Sequence, residues 1–330
     1  MRVAILAFDH CLSMEVCTVS DLLLMANRVA QYNTNNDQPP FQVEVISVRG
    51  RRIKAAGCIE LNTTPATGKI DLLIVPGIDV AQLEIGRDDL NEFGQEIRFI
   101  RKCFSSGVPV ASICAGAFLL AEAGLLDGRR ATTAWLFSPQ LARLYPAVQV
   151  DSDALLVEDR GVITAGAFSA AADLALHLIR RHASPDLAQQ VSGLALTPPA
   201  RESQAPYIEP LLLRSNEERF STQVERWLLQ RYTEPYDLQR LADAFHVSTR
   251  TLLRRFRNES GTTPLLCLQR HRVHMAKSLL RTTSLTVAQI TERVGYRDVA
   301  SFCALFNRLV QLSPSEYRRQ FAPVRINALC

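Results

Sequence analysis

Two segments near the C-terminus share one layout, and that layout leaves few ways for the second half of the chain to fold. The first is Asp237-Leu-Gln-Arg-Leu-Ala-Asp-Ala-Phe-His-Val-Ser-Thr-Arg-Thr-Leu-Leu-Arg-Arg-Phe256. The second is Thr286-Val-Ala-Gln-Ile-Thr-Glu-Arg-Val-Gly-Tyr-Arg-Asp-Val-Ala-Ser-Phe-Cys-Ala-Leu-Phe306. Each reads as a short amphipathic helix, a tight turn and a second helix with apolar residues at helical spacing. A second helix of this kind fits the DNA major groove, so double-stranded DNA is the expected partner.

Helix starts support both units. Thr286 and Gln289 have capping-box spacing, and Ser313-Pro314-Ser315-Glu316 opens a further helix with a serine cap and proline at its first position. Ser248 caps the second helix of the first unit. Gly295 and His246 take the turn positions, where the left-handed region is needed. Leu252 and Phe256 then face the core, as do Phe302 and Phe306. The residues expected on the DNA side are Ser248, Thr249, Arg250, Thr251, Leu253 and Arg254 in the first unit. In the second they are Arg297, Val299, Ala300, Cys303 and Arg308, with Ala304 also outward. Arginines can pair with guanine or hold phosphate. The small apolar residues of the second helix would read thymine methyls and shape.

Charge divides the chain in the same way. Residues 1–200 carry 17 Lys+Arg against 21 Asp+Glu, a net −4, and residues 201–330 carry 20 against 12, a net +8. A polyanion is therefore expected to meet the second half. Eight cysteines at 11, 17, 58, 103, 114, 267, 303 and 330 include no C-x-x-C pair, so no metal and no cofactor is expected and reduced cytoplasmic thiols are. The apolar opening is too short for a signal peptide and is broken by Asp9 and His10. No run approaches the length of a membrane span.

The first ~182 residues alternate between strand-like and helix-like runs, which implies a doubly wound parallel α/β sheet. Expected strands are Val3–Phe8, Phe41–Val48, Asp71–Val75 and Val108–Ile113. Hairpin-like stretches are Arg52–Leu61, broken at Gly57, and Leu155–Thr164 with its turn at Asp159–Gly161. Expected helices are Ser13–Val29, Leu90–Phe104, Ala115–Ala123 and Ser169–Arg181. Ala183–Ser215, with Ser184-Pro185, Thr197-Pro198-Pro199 and Gln204-Ala205-Pro206, reads as an irregular connector holding one short helix. The expected domains are 1–205, its last ~20 residues being linker, and the all-α 206–330.

Val110-Ala-Ser-Ile-Cys114-Ala-Gly-Ala117 places a cysteine at a sharp strand-to-helix turn. The helix dipole there favours thiolate, and the N–H groups of Cys114 and Ala115 could line an anion site. A small buried thiol with no chemistry is the plainer alternative.

The spacing from Gly295-Tyr-Arg-Asp298 through Phe302 and Phe306 to Leu312-Ser-Pro-Ser-Glu-Tyr-Arg318 resembles the AraC/XylS family of transcription regulators. That resemblance implies a seven-helix domain with a linking helix at about Pro264–Leu280. Cys114, Pro76-Gly77, Glu15 and Leu125–Thr133 resemble the ThiJ/PfpI, glutamine-amidotransferase-like superfamily, whose fold is flavodoxin-like. Its enzymes pair the cysteine with a histidine after the Thr-Thr, but this chain has Ala134 there, followed by Trp135. It also has Ile78 where a second glycine is common. The combination resembles the GlxA-type group, in which the α/β part senses a ligand, often nitrogen-containing, and dimerises. The partners that resemblance implies are a small effector of that class, a second copy of the chain and RNA polymerase, with no membrane. The expected effector site comprises Glu15, Gly77, Ile78, Cys114, Ala115 and Trp135. The two rival readings are a thiol redox sensor at Cys114 and an active amidase, protease or deglycase, which the missing histidine opposes.

Overall fold

The structure, a computed structural model, describes residues 1–34, 38–80, 85–86, 88–197, 201–209 and 219–322. Contacts divide the chain into two compact units, Met1–Gln204 and Ala205–Cys330.

The first unit is built on strands β1 (Arg2–Leu6), β2 (Gln42–Ser47), β3 (Arg52–Ala55), β4 (Ile59–Asn62), β5 (Thr64–Pro65), β6 (Leu72–Val75), β7 (Val110–Ile113), β8 (Arg130–Ala131), β9 (Gln149–Val150), β10 (Leu156–Asp159) and β11 (Val162–Ala165). Its helices are α1 (Ser13–Thr34), α2 (Gly94–Ser105), α3 (Gly116–Glu122), α4 (Ser138–Leu144), α5 (Ala170–His182) and α6 (Pro185–Leu194). The main sheet runs β10-β11-β7-β6-β1-β2-β5, and every pairing is parallel except β10 with β11. Strands β6, β7 and β11 are buried along their whole length and, apart from Ser112 and Thr164, apolar, as a sheet covered by helices on both faces requires. Chain order reverses between β1 and β6. In such sheets the crevice at the carboxyl ends of those strands is where ligands bind. β1 leads there to Glu15, β6 to Pro76-Gly77 and β7 to Cys114.

Two expectations need correction. The helix expected at Leu90–Phe104 is split: Asp88–Phe93 is a 3-10 turn and α2 begins at Gly94. The connector from Ala183 does hold one short helix, α6, as expected, but the described residues that follow it, as far as Gln204, are packed rather than loose. Ser184 accepts the N–H of Leu187, Pro185 opens α6, and Leu187, Ala188 and Val191 are buried at helical spacing. Prolines suggest a loose linker, but here the apolar period between them decides the structure. Pro198, Pro199 and residues 210–215 of the expected connector lie outside the described residues.

The second unit has seven described helices: α7 (Phe220–Gln230), α8 (Leu238–Ala244), α9 (Thr249–Ser260), α10 (Pro264–Thr282), α11 (Val287–Arg293), α12 (Val299–Val310) and α13 (Pro314–Phe321). They form two cores. Phe220, Val224, Leu228, Leu241, Leu252 and Phe256 fill the first, and Ile290, Val294, Phe302, Phe306 and Tyr317 are among those filling the second. Helix α10 serves both, giving Leu268 to the first and Val273, Ala276 and Leu280 to the second. Arg272 on α10 is also buried; it donates to the carbonyls of Tyr232 (2.6 Å) and Glu234 (2.5 Å) and stacks over Tyr296. One helix thereby fixes the two lobes to each other.

Candidate effector pocket and DNA interface

Cys114 sits where β7 turns into α3, with a left-handed φ of 50°. The turn is tight because Gly116 lies against the Pro76 loop. A Cβ there would fall 2.6 Å from the Pro76 carbonyl oxygen and 2.7 Å from that of Val75. The Cys114 N–H donates to the carbonyls of Gly166 (2.9 Å) and Ala165 (3.1 Å), and the Thr133 hydroxyl donates to the Cys114 carbonyl (2.7 Å). The expected anion seat at this N–H is therefore taken: positive φ turns it back onto the loop after β11.

Glu15, in the first turn of α1, is fully buried. Its Oε2 accepts the Gly77 N–H at 2.6 Å, while its Oε1 has no hydrogen-bond partner. A Cβ on Gly77 would lie 3.2 Å from both Glu15 Oε1 and Cys114 Cβ, so Glu15, Gly77 and Cys114 are brought together. Burial pushes the Glu15 carboxyl up to about 8 against the lowering effect of the Gly77 hydrogen bond. The Cys114 thiol is pushed up to about 12 by burial and then by Glu15, against hydrogen bonds from the backbones of Ala115 and Phe168. The expected thiolate is thus contradicted. The seven-residue α3 offers a weak dipole, and loss of water around the sulfur outweighs it. None of the groups acting on this thiol is a histidine. Ala134 contributes a buried methyl, His10 is exposed, and His177 and His182 lie on α5.

Ala115 is fully buried and Ile78 is 8% exposed, its backbone bridging to Cys11. Trp135 is half-buried, two residues beyond Thr133, and Phe168 is 42% exposed. Glu15, Gly77, Ile78, Cys114 and Ala115 are all buried, and Trp135 and Phe168 are more exposed residues on the two loops that hydrogen-bond Cys114. A residue assigned to the linker joins these two loops. The Gln204 amide is buried; its Nε2 donates to the carbonyls of Thr133 (2.8 Å) and Ala154 (3.1 Å). Its Oε1 accepts the N–H groups of Trp135 (3.1 Å) and Ala167 (3.2 Å). No periodicity or motif marks Gln204, so only its long-range contacts reveal it.

In the helical unit the caps form as the sequence implies. Ser248 accepts the Thr251 N–H, and both capping boxes, Thr286/Gln289 and Ser313/Glu316, are made. His246 (φ 53°) and Gly295 (φ 83°) take the left-handed turns. A Cβ on Gly295 would lie 2.8 Å from the Thr233 carbonyl oxygen, so glycine is needed there for space as well as conformation. On α9, Arg250 and Arg254 are exposed and have no hydrogen bond or ion pair among the described residues; Leu253, Thr249 and Thr251 are half-buried. The Ser248 hydroxyl also donates to Thr251 Oγ1 (3.0 Å), so both hydroxyls are engaged in the cap. On and before α12, Arg297, Val299, Ala300, Ala304 and Arg308 are exposed. Cys303 departs from expectation, being half-buried against the second core. Arg255, which follows Arg254, pairs with Glu259 and lies over Phe220.

Residues 1–181 match the DJ-1/PfpI family and residues 241–320 a helix-turn-helix domain. The chain is 32% identical over 226 residues to the HTH-type transcriptional regulator CdhR of Pseudomonas aeruginosa, covering 67% of this chain and 66% of that one. It is 31% identical over 231 residues to the HTH-type transcriptional regulator GlxA of Rhizobium meliloti, covering 67% and 68%. A solved AraC family transcriptional regulator from Pseudomonas putida aligns over 59% of this chain and 98% of its own, at 24% identity and a TM-score of 0.48. Among the described residues no helix is long and apolar enough to cross a membrane. The chain belongs to the DJ-1/PfpI family through its first 181 residues and, with its AraC-type helix-turn-helix region, is a DNA-binding transcriptional regulator.

Proposed function

We propose that the α/β unit is a sensor without catalytic turnover, and that a small nitrogen-containing metabolite bound beside Cys114 controls DNA binding by α9 and α12. One observation carries this: Glu15 presents a buried, unpartnered carboxyl oxygen at Gly77 and Cys114. Buried polar atoms are normally satisfied, and an orphan at the ligand crevice of a doubly wound sheet is one that a ligand can complete. With Ala134 in place of a base and the thiol held protonated, nothing there activates a nucleophile or protonates a leaving group. The same high thiol value opposes the redox-sensor reading, because oxidation follows thiolate character and access.

Glu15 would meet a cationic nitrogen after giving up its proton, and the half-exposed indole of Trp135 offers a ring face to the same charge. A thermal-shift panel of amino acids and quaternary amines on the full chain tests this. A binding ligand raises the melting temperature by mass action, and Glu15→Gln and Trp135→Ala should each abolish that rise. A ligand whose effect survives both substitutions would place the sensing site elsewhere. A homodimer of the α/β unit and contact with RNA polymerase complete the proposal. Sedimentation of the full chain tests the first, and co-purification with the polymerase tests the second.

A further inference from the structure

We infer that the α/β unit holds a recognition site for a primary carboxamide, and that the chain's own Gln204 side chain is its tethered occupant. A free small amide is the class of ligand that takes the same place when Gln204 withdraws. The inference goes beyond the effector reading and does not rest on it. The Gln204 amide lies among the loops that follow β8, β9 and β11. Its Oε1 accepts the backbone N–H groups of Trp135 (3.1 Å) and Ala167 (3.2 Å). Its Nε2 donates to the carbonyls of Thr133 (2.8 Å), Ala154 (3.1 Å) and Ser152 (3.3 Å), and to the Thr132 hydroxyl (3.2 Å). Donors thus meet the oxygen end and acceptors meet the nitrogen end. A carboxylate would set an anionic oxygen against those carbonyls, and an ammonium would leave both N–H groups unpaired. A carboxamide satisfies both sides. Every partner except the Thr132 hydroxyl is a main-chain group, so recognition does not depend on side-chain rotamers.

Gly166 supplies the space. Its φ is not positive, so a left-handed backbone does not call for glycine there. A Cβ at Gly166 would nevertheless fall 2.6 Å from Gln204 Cδ and 2.7 Å from its Oε1. The residue is glycine because the amide plane occupies that volume. Gln204 enters on a polar strap. The Leu155 N–H donates to the Glu202 carbonyl (3.2 Å), the Gln204 N–H donates to the Asp153 carbonyl (2.8 Å), and Arg201 pairs with Asp173 on α5. None of Arg201, Glu202 and Ser203 is buried. A segment held by hydrogen bonds and one ion pair, with few buried apolar contacts, opens locally far more readily than the core beneath it. Each opening withdraws the Gln204 carboxamide and leaves its site to a free one.

Chemical rescue of the full chain tests this. Gln204→Ala removes a CH2–CONH2 group, and acetamide is its free equivalent. The melting temperature of the variant should fall by about 3 °C or more, because buried N–H and C=O groups lose their partners. Acetamide at about 50 mM should restore about half of that loss or more, while acetate and methylammonium restore none. Gln204→Leu, which fills the slot, should not respond to acetamide. If Gln204→Ala does not stay folded, its yield on refolding from urea in acetamide against acetate makes the same comparison. The rescue gives a Kd for acetamide, and that value predicts the parent chain. There, free amide trapping the open strap should speed hydrogen exchange at the Leu155 and Gln204 N–H groups by a factor of one plus the ratio of acetamide concentration to Kd. No rescue by acetamide, equal rescue by acetate, or unchanged strap exchange in the parent each overturns the proposal. The test uses no effector and leaves Glu15 in place, so its outcome is independent of the reading of the Cys114 site.

Discussion

A carboxyl group stripped of water holds its proton, and Glu15 does so to about 8. In the unfolded chain it ionises near 4.5. Between those values the folded state binds the extra proton, so Glu15 makes stability fall as pH rises from 4.5 to about 8, after which its contribution is level. Each pH step of one across that range is worth about 1.4 kcal/mol, so the total is on the order of several kcal/mol. Glu15→Gln should flatten that part of a urea-unfolding series against pH and leave the variant more stable than the parent at pH 8. A parent and variant with parallel pH profiles would show that Glu15 is not the buried acid described. The same group gives the effector a signature. A permanently charged amine must expel the Glu15 proton to bind, so its affinity should rise up to about tenfold per pH unit below 8 and then level. Titration calorimetry at pH 6, 7 and 8 reads this, and a pH-independent affinity removes Glu15 as the ionic partner. Cys114 makes a matching prediction. Iodoacetamide at pH 7.5 should alkylate the exposed Cys17 and Cys58 before the buried Cys114 with its value of about 12, and peptide mapping that finds Cys114 modified first would restore the reactive-thiol reading.

At the scale of single elements, the turn of the second helix-turn-helix unit is the most demanding. Gly295 has a φ of 83° and faces the Thr233 backbone at a distance no Cβ tolerates. Gly295→Ala should cost about 2 kcal/mol or more in urea unfolding, whereas His246→Gly at the equivalent turn should change stability by under about 1 kcal/mol. Similar costs at the two turns would mean that the close approach to Thr233 is absent. Ser248→Ala removes the cap of α9 and should cost about 1 kcal/mol. These features are legible in the sequence because they are local: caps, turn residues and the i, i+4 pairs Leu252/Phe256 and Phe302/Phe306 lie within a few residues of one another. The strands of the α/β unit are legible for the same reason, as short apolar runs closed by turn residues. What is not legible is long-range. That the Cys114 N–H is spent on Gly166, that Cys303 packs inward and that Gln204 joins the pocket all depend on packing against segments distant in the chain. The distance between Gln204 and Thr133 along the chain is 71 residues, and no pattern in either segment announces the other.

Across the whole molecule, charge is distributed by function. The excess of +8 lies in residues 201–330, while the half proposed to sense the effector is net −4. Exposed arginines with no protein partner among the described residues stand on or beside the two helices proposed to read DNA: Arg250 and Arg254 on α9, Arg297 before α12 and Arg308 on it. Arg255 is excluded from this set because Glu259 and Phe220 already hold it. Each phosphate neutralised releases condensed counterions and steepens the fall of log affinity with log salt by about 0.9. If all four arginines meet phosphate, each chain should show a slope of at least about −3.6. The four need not behave alike. Arg254 is exposed on α9, the helix proposed to read the groove, and if it contacts a base, Arg254→Ala should cost about 1–3 kcal/mol on the operator and much less on random duplex. If Arg297 and Arg308 are phosphate contacts, changing either to alanine should weaken binding to both DNAs equally and reduce the slope by about 0.9. Fluorescence anisotropy of the full chain on a selected operator and on random DNA, between about 50 and 300 mM salt, separates the two behaviours. An Arg254→Ala loss that is equal on both DNAs would move Arg254 to the phosphate class. A slope unchanged by either Arg297→Ala or Arg308→Ala would mean that α12 does not lie against the duplex, leaving α9 as the reading helix.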